Sequence, residues 1–392
     1  MRVKKRVPVG ELRLGMYVAE LDRPWTETPF VFQGFVLSTP QQLETLRKYC
    51  SSVFIDVERS TPGAQPVPGR VAHAEQTPVD QEMAPARTAH LASKVTVEDL
   101  ISTVRIGGSL DAARVREAVT TMTDSVLRNP DALLLYSQLK ERGDYAVAHA
   151  LDVSVYMITF GRFLELERSQ IEFLGYLGLL QDIGKVRLPK AVLEKRGRLT
   201  EQELEQAQLH VGHSVEILRA TPGLPLELPR LALLHHERWD GSGYPNRLQG
   251  RHIGMIGSIA AIADTFDAMT VLRPYADPVT PSAAMSSLYK GRGSAFDAGL
   301  VEQFIRFIGI FPVGSLVELN SGEIAVVISQ HPEQRLKPRV MVIRDAKGIE
   351  LRPQKLLDLS RSPKATPDEA YRILRTLEAG RVRIRSDQLF MR

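Results

Sequence analysis

The chain has 392 residues, 43% hydrophobic and 24% charged, an ordinary composition for a soluble globular protein with room for two or three domains. Its 50 Lys and Arg against 46 acids leave a formal net charge of only +4, too small an excess for a stripe that tracks nucleic acid, so no DNA partner is expected. No apolar run approaches the ~20 residues of a membrane span, the basic opening Met1-Arg2-Val3-Lys4-Lys5-Arg6 leads into no apolar signal segment, and the single Cys50 fits a reducing compartment. A cytoplasmic protein without membrane contact is expected.

Residues 5–57 carry short β-branched and aromatic runs broken by Gly and Pro, among them Met16-Tyr17-Val18-Ala19 and the run from Phe30 to Leu37. These read as strands, with one helix from Pro40 to about Tyr49, and give a small α+β accessory domain over 1–59. From 60 to 96 the composition turns to Pro, Ala, Gln and Gly with few large apolar residues, so a flexible linker is expected. Apolar residues then recur every three or four positions from Val97 to Leu139 and from Ala146 to about Gly309. Breaks at Gly161, 184–189, 221–229 and 240–250 divide the second stretch, the pattern of a bundle of short helices over 97–311. From 312 to 360 the pattern alternates, as in Ile324-Ala325-Val326-Val327-Ile328-Ser329, and turns at Asn320-Ser321-Gly322 and Ala346-Lys347-Gly348 separate the strands of a small β appendage. A helix from Pro367 to about Ala379 and a basic tail complete the chain over 361–392. The expected fold class is mainly α: a helical bundle with a small N-terminal α+β domain and a small C-terminal β appendage.

Two stretches of the bundle carry chemistry, Leu180-Gln181-Asp182-Ile183-Gly184-Lys185 and His235-His236-Glu237-Arg238-Trp239-Asp240-Gly241-Ser242-Gly243-Tyr244-Pro245. A hydrolytic site built on two metal ions needs imidazoles and carboxylates that converge, with one carboxylate bridging the ions. A lone His on an amphipathic helix is more often an ordinary surface or core residue. Asp182 lies just ahead of Gly184, which would break its helix and leave the carboxylate free at a helix end. His213, three residues after His210, reads as packing, and His73, His90, His252 and His331 as bystanders. Gly241 and Gly243 permit positive φ and Pro245 fixes the exit, so a rigid surface loop is expected there.

Both stretches resemble the motifs of the HD-GYP family, bacterial metal-dependent phosphodiesterases of cyclic di-GMP, whose first motif reads His-Asp where this chain has Gln181-Asp182. The run Leu14-Gly15-Met16-Tyr17-Val18 resembles a small domain of unknown function that often precedes them. The resemblance implies an HD-type bundle holding two divalent ions, Fe, Mn, Mg or Ni. It gives Asp182, His210, His235 and His236 to one ion, surrounds the other with His149, Gln181 and Asp264, and makes Asp182 and Lys185 catalytic. Taken in series within these flanks, the six His and Asp residues are hard to read as bystanders. The amide oxygen of Gln181 is a poorer donor to a transition metal than imidazole and suits Mg or Mn. Tyr145 stands where three-metal members carry Glu, which argues against a third ion. Lys185, Arg273 and the Gly243-Tyr244-Pro245 rim fall on the substrate side, where a cation offsets charge growing on phosphoryl oxygens; Ala276 replaces a basic residue common in the family. The implied reaction is hydrolysis of cyclic di-GMP to pGpG, with GMP as the alternative end product. The other reading is a degenerate cyclic di-GMP receptor that docks diguanylate cyclase domains through the loop, and a homodimer is compatible with either.

Overall fold

The computed structural model describes residues 4–12, 15–23, 28, 35–37, 39–56, 71–139, 143–195, 197–271, 277–331 and 334–377. They fall into two compact units, 1–70 and 71–392. In the first, β1 (Lys4–Pro8), β2 (Tyr17–Leu21), β3 (Phe35–Val36) and β4 (Ser52–Asp56) form an antiparallel sheet in the order β1-β4-β2-β3. Between β3 and β4 lies α1 (Pro40–Tyr49), whose start is fixed by a reciprocal cap: Thr39 Oγ1 accepts from Gln42 N at 3.1 Å and Gln42 Oε1 from Thr39 N at 3.2 Å. Leu46 of α1 joins Val7, Val18, Val53 and Ile55 in one apolar cluster. Cys50 is buried there, and burial pushes its thiol up to about 11, which makes it an inert packing residue.

The second unit is helical, followed by a sheet. Its helices are α2 (Val79–Arg105), α3 (Ala112–Arg128), α4 (Pro130–Leu139), α5 (Tyr145–Phe163), α6 (Arg168–Leu180), α7 (Lys190–Leu193), α8 (Glu201–Arg219), α9 (Leu228–Leu231), α10 (Gly254–Thr270), α11 (Pro281–Lys290) and α12 (Ala298–Ile308). The linker expected over 60–96 is corrected here, because 79–96 forms the first five turns of α2. Ala and Gln are strong helix formers, and Val79, Met83, Ala86 and Val97 supply a buried stripe that composition alone concealed. Buried Glu82 ties α2 to α3 through Arg128 and Ser125, each at 2.8 Å. His90, expected in the linker, is buried in α2 with its ring 5.1 Å from that of Tyr136.

The centre of the bundle is α5, buried on all sides from Val147 to Gly161, as its lack of a polar face requires. Its neighbour α6 approaches closely at Gly178, where a Cβ would lie 2.5 Å from Ser154 Cα. Phe160 of α5, Phe266 of α10 and Phe304 of α12 meet edge to face at centroid distances of 5.1 and 5.3 Å, closing the end of the core.

Strands β5 (Leu316–Leu319), β6 (Ile324–Ser329), β7 (Arg339–Arg344), β8 (Glu350–Asp358) and β9 (Ile373–Thr376) make an antiparallel sheet in the order β8-β7-β6-β5-β9. Strand alternation splits its residues. Leu316, Val326, Ile328, Met341 and Ile343 join the helical core, whereas Val317, Ala325, Val327, Val340 and Val342 form a second cluster on the opposite face. The helix expected from Pro367 to Ala379 is also corrected: 373–376 is β9, paired with β5, and 378–392 lies outside the described residues. The polar edge of β5 takes a partner strand, and that pairing overrides the helical spacing of the segment. Among the described residues no helix is long and apolar enough to cross a membrane.

Candidate metal centre

The site gathers where α5, α6, α8 and α10 meet the segment after α9. Asp182 ends α6 and enters a 3-10 turn over Ile183–Arg187. Gly184 lets that turn touch α8: a Cβ there would lie 2.1 Å from His210 O and 2.4 Å from Ser214 N. Gly184 N donates to Ser214 Oγ at 2.8 Å, locking the contact. Gly184 therefore acts by permitting a close approach, and its φ is not positive. The carboxylate of Asp182 is thereby carried to α8.

Its two oxygens face different partners. Oδ1 lies 3.1 Å from His210 Nε2 and 3.5 Å from His235 Nε2, and His236 Nε2 is 3.2 Å from His210 Nε2. Oδ2 lies 3.1 Å from His149 Nε2 and 2.6 Å from Lys185 Nζ. His149 Nε2 is also 3.1 Å from Asp264 Oδ1, on α10. Two donor sets result, Asp182, His210, His235 and His236 in one and His149, Asp182 and Asp264 in the other, with the ligand atoms of each within 4.8 Å of one another.

The protonation pattern suits cations. His210 Nδ1 donates to Ala207 O at 2.6 Å and His235 Nδ1 to Ala232 O at 2.8 Å, so both Nε2 atoms present lone pairs to Asp182. Asp182 Oδ1 is buried and accepts no hydrogen bond. Lone pairs turned on a carboxylate oxygen repel unless a cation lies among them, so this donor set fits a divalent ion. Burial pushes the Asp182 carboxyl up, but the Lys185 ammonium and the hydrogen bond from His149 outweigh it and hold the group well below the usual carboxylate range. Burial and neighbouring His235 hold the His236 imidazole well below its usual value, leaving it neutral. On the other side, burial opposes a charge on His149, but Tyr145 and the carboxylates of Asp182, Asp264 and Asp267 raise it well above the usual value. Burial would lower Lys185, yet Asp182 and Asp264 raise it, so it stays an ammonium.

Of the residues singled out in the sequence, His149, Asp182, Lys185, His210, His235, His236 and Asp264 come together. Gln181 is buried beside them, 1% exposed, with neither amide atom hydrogen-bonded. Arg273, like Ala276, lies outside the described residues. His213 stays apart, 3.9 Å from Glu216. Tyr145 stacks on His149 with centroids 5.5 Å apart. Tyr244 is half-buried and stacks on His236 at 4.7 Å. Of the two loop glycines, Gly241 has a φ of 82°, whereas Gly243 is needed for close approach, with a Cβ there only 2.3 Å from Arg238 N. Two positioning residues escaped the sequence reading. Asp267 accepts from His149 Nδ1 at 2.6 Å, and its i, i+3 spacing from Asp264 on α10 was the available signal. Buried Glu237 accepts from Asn246 N at 2.7 Å and Leu248 N at 2.9 Å, which holds the exit of the loop after His236.

Residues 130–300 match the HD domain family, 4–115 a domain of unknown function, and 316–366 a KOW domain associated with HD domain. A cyclic di-GMP phosphodiesterase of Pseudomonas aeruginosa is 33% identical over 377 residues, 91% of this chain and 89% of the relative. A 3'3'-cGAMP-specific phosphodiesterase of Vibrio cholerae is 37% identical over 190 residues, 47% of this chain and 36% of the relative. Among solved structures, an HDG"Y"P protein from Bdellovibrio bacteriovorus aligns with a TM-score of 0.48 at 13% identity, over 77% of this chain and 98% of that one.

Proposed function

Because the chain belongs to the HD-GYP family, we propose that it is a metal-dependent phosphodiesterase that hydrolyses cyclic di-GMP to pGpG and onward to GMP. The observation that carries this reading is the convergence of four histidines and Asp264 around the carboxylate of Asp182. Asp182, His210, His235 and His236 would hold one divalent ion, and His149, Asp264 and Gln181 the other, drawn from Fe, Mn, Mg or Ni. Such ions supply Lewis acidity and lower the pKa of bound water. The rest of the work belongs to the chain. Asp267 fixes the ring of His149, and the carbonyls of Ala207 and Ala232 orient the rings of His210 and His235 so that their Nε2 atoms face Asp182. Lys185 brings a fixed positive charge to the phosphoryl oxygens as they gain charge, a role shared with Arg273. Gly243, Tyr244 and Pro245 border the substrate, with Tyr244 covering one face of His236.

The loop is also the surface proposed for diguanylate cyclase domains, since Asp240, Ser242 and Pro245 are exposed. A cytoplasmic location and a homodimer complete the reading. Incubating the chain with cyclic di-GMP or 3'3'-cGAMP in excess Mn and separating the products tests it. The expected result is pGpG followed by GMP, with cyclic di-GMP consumed faster, and a further gain in Gln181→His. Tight binding of cyclic di-GMP with no product in either protein would establish the receptor reading instead.

A further inference from the structure

The contacts of Asp182 Oδ2 contain a competition. The Lys185 ammonium lies 2.6 Å from it and His149 Nε2 3.1 Å. An ion held by His149 and Asp264 and bridged through Asp182 would need the same oxygen, so the ammonium and that ion compete for one acceptor. Formal charge points the same way. With His149 neutral, as a metal ligand must be, Asp182, Asp264 and Asp267 against Lys185 leave two negative charges, which one divalent ion neutralises. A second would leave two positive charges in a largely buried site unless an anion came with it. Gln181 weakens the second position further, since its unpartnered buried amide offers a harder, poorer donor than imidazole.

We propose that the two metal positions are unequal and that Lys185 controls the second. One ion is resident on Asp182, His210, His235 and His236. The ammonium of Lys185 holds Asp182 Oδ2 in the free protein and releases that oxygen when it moves to a phosphate of the substrate. A hard ion such as Mn or Mg then enters beside His149, Asp264 and Gln181. The two phosphodiesters of a cyclic dinucleotide carry the two negative charges that balance it. The inference rests on the metal-dependent reading above for its ligands and on the cyclic-dinucleotide reading only for the anion.

The test is equilibrium dialysis of the metal-stripped full chain against graded Mn, with bound metal counted by mass spectrometry. Wild type should bind one Mn tightly and a second at least ~10-fold more weakly, and Lys185→Met and Lys185→Gln should each tighten the second about tenfold while leaving the first unchanged. A phosphorothioate analogue of cyclic di-GMP should tighten the second ion in wild type and add little in Lys185→Met. Two equally tight ions in wild type, or a second affinity unmoved in both lysine variants, would overturn the proposal. Hydrolysis of cyclic di-GMP together with an unmoved second affinity would strike this inference alone. The lysine effect without any hydrolysis would uphold it and strike the substrate assignment alone.

Discussion

Asp182 is the side chain on which the site turns, because its two oxygens serve separate donor sets. Asp182→Ala is expected to remove both ions and lower hydrolysis at least ~100-fold, read as metal content and pGpG release on one sample. Unchanged metal stoichiometry would refute the ligand assignment. The metal-free chain carries a pH signature. The folded values of Asp182 and Asp264 lie below the ordinary 3.8, so their stabilising contribution is present above that value and is lost as pH falls through the folded ones. The folded value of His149 lies above 6.5, so its contribution is complete below 6.5 and is lost as pH rises through the raised value. Buried His236, whose folded value lies below 6.5, costs stability as pH falls below 6.5, so the melting temperature of the metal-stripped protein should peak near pH 6.5 and fall on the alkaline side, and His149→Ala should flatten that alkaline limb. An alkaline limb unaffected by His149→Ala would place its origin elsewhere. At this scale the sequence was legible wherever a side chain carries its own signature, as with the histidine pair and the Asp182 motif. It was silent on Ala207 and Ala232, whose contribution is a backbone carbonyl. The contact of Lys185 with Asp182 was hidden for a different reason: expected to address phosphate alone, Lys185 follows Asp182 by three residues in a 3-10 turn that brings the two charges together.

The element on which the geometry depends is the turn after α6, pressed on α8 at Gly184. A methyl group there meets backbone atoms at 2.1 and 2.4 Å, so Gly184→Ala must push the turn away from α8. It should cost about 2 kcal/mol or more in urea unfolding and weaken metal binding by separating Asp182 from His210. A variant that keeps wild-type stability and metal affinity would show that the approach is not required. The sequence marked Gly184 as a helix breaker; its role in packing against α8 depends on which helix lies across from it, and local pattern carries no such information. The same limit explains α2 and β9. Over 79–96 a chain rich in Ala forms a helix because α3 and α4 cover its modest apolar stripe, while 373–376 becomes a strand because β5 offers it an edge. Alternation in β5, β6 and β7 was readable because a strand with two buried faces divides its residues strictly by parity.

In the second unit the sheet and the bundle share one core, since Leu316, Val326, Ile328, Met341 and Ile343 sit among helical residues. The β region is therefore a structural wall of the bundle. Ile328→Ala should cost about 3 kcal/mol and lower the stability of helices and sheet together in a single transition; separate transitions for helical and strand signals would show two independent folding units. The unit as a whole holds the claim that matters most, a family member with Gln181 in place of the usual histidine that still hydrolyses a cyclic dinucleotide. The most direct measurement is a titration of the metal-stripped wild-type chain with Mn, counting bound ions and pGpG released from cyclic di-GMP on the same samples. The metal-free chain should show no turnover, the chain with one ion little, and pGpG release should rise as the second, weaker position fills by mass action. Two ions bound with no pGpG formed would contradict it.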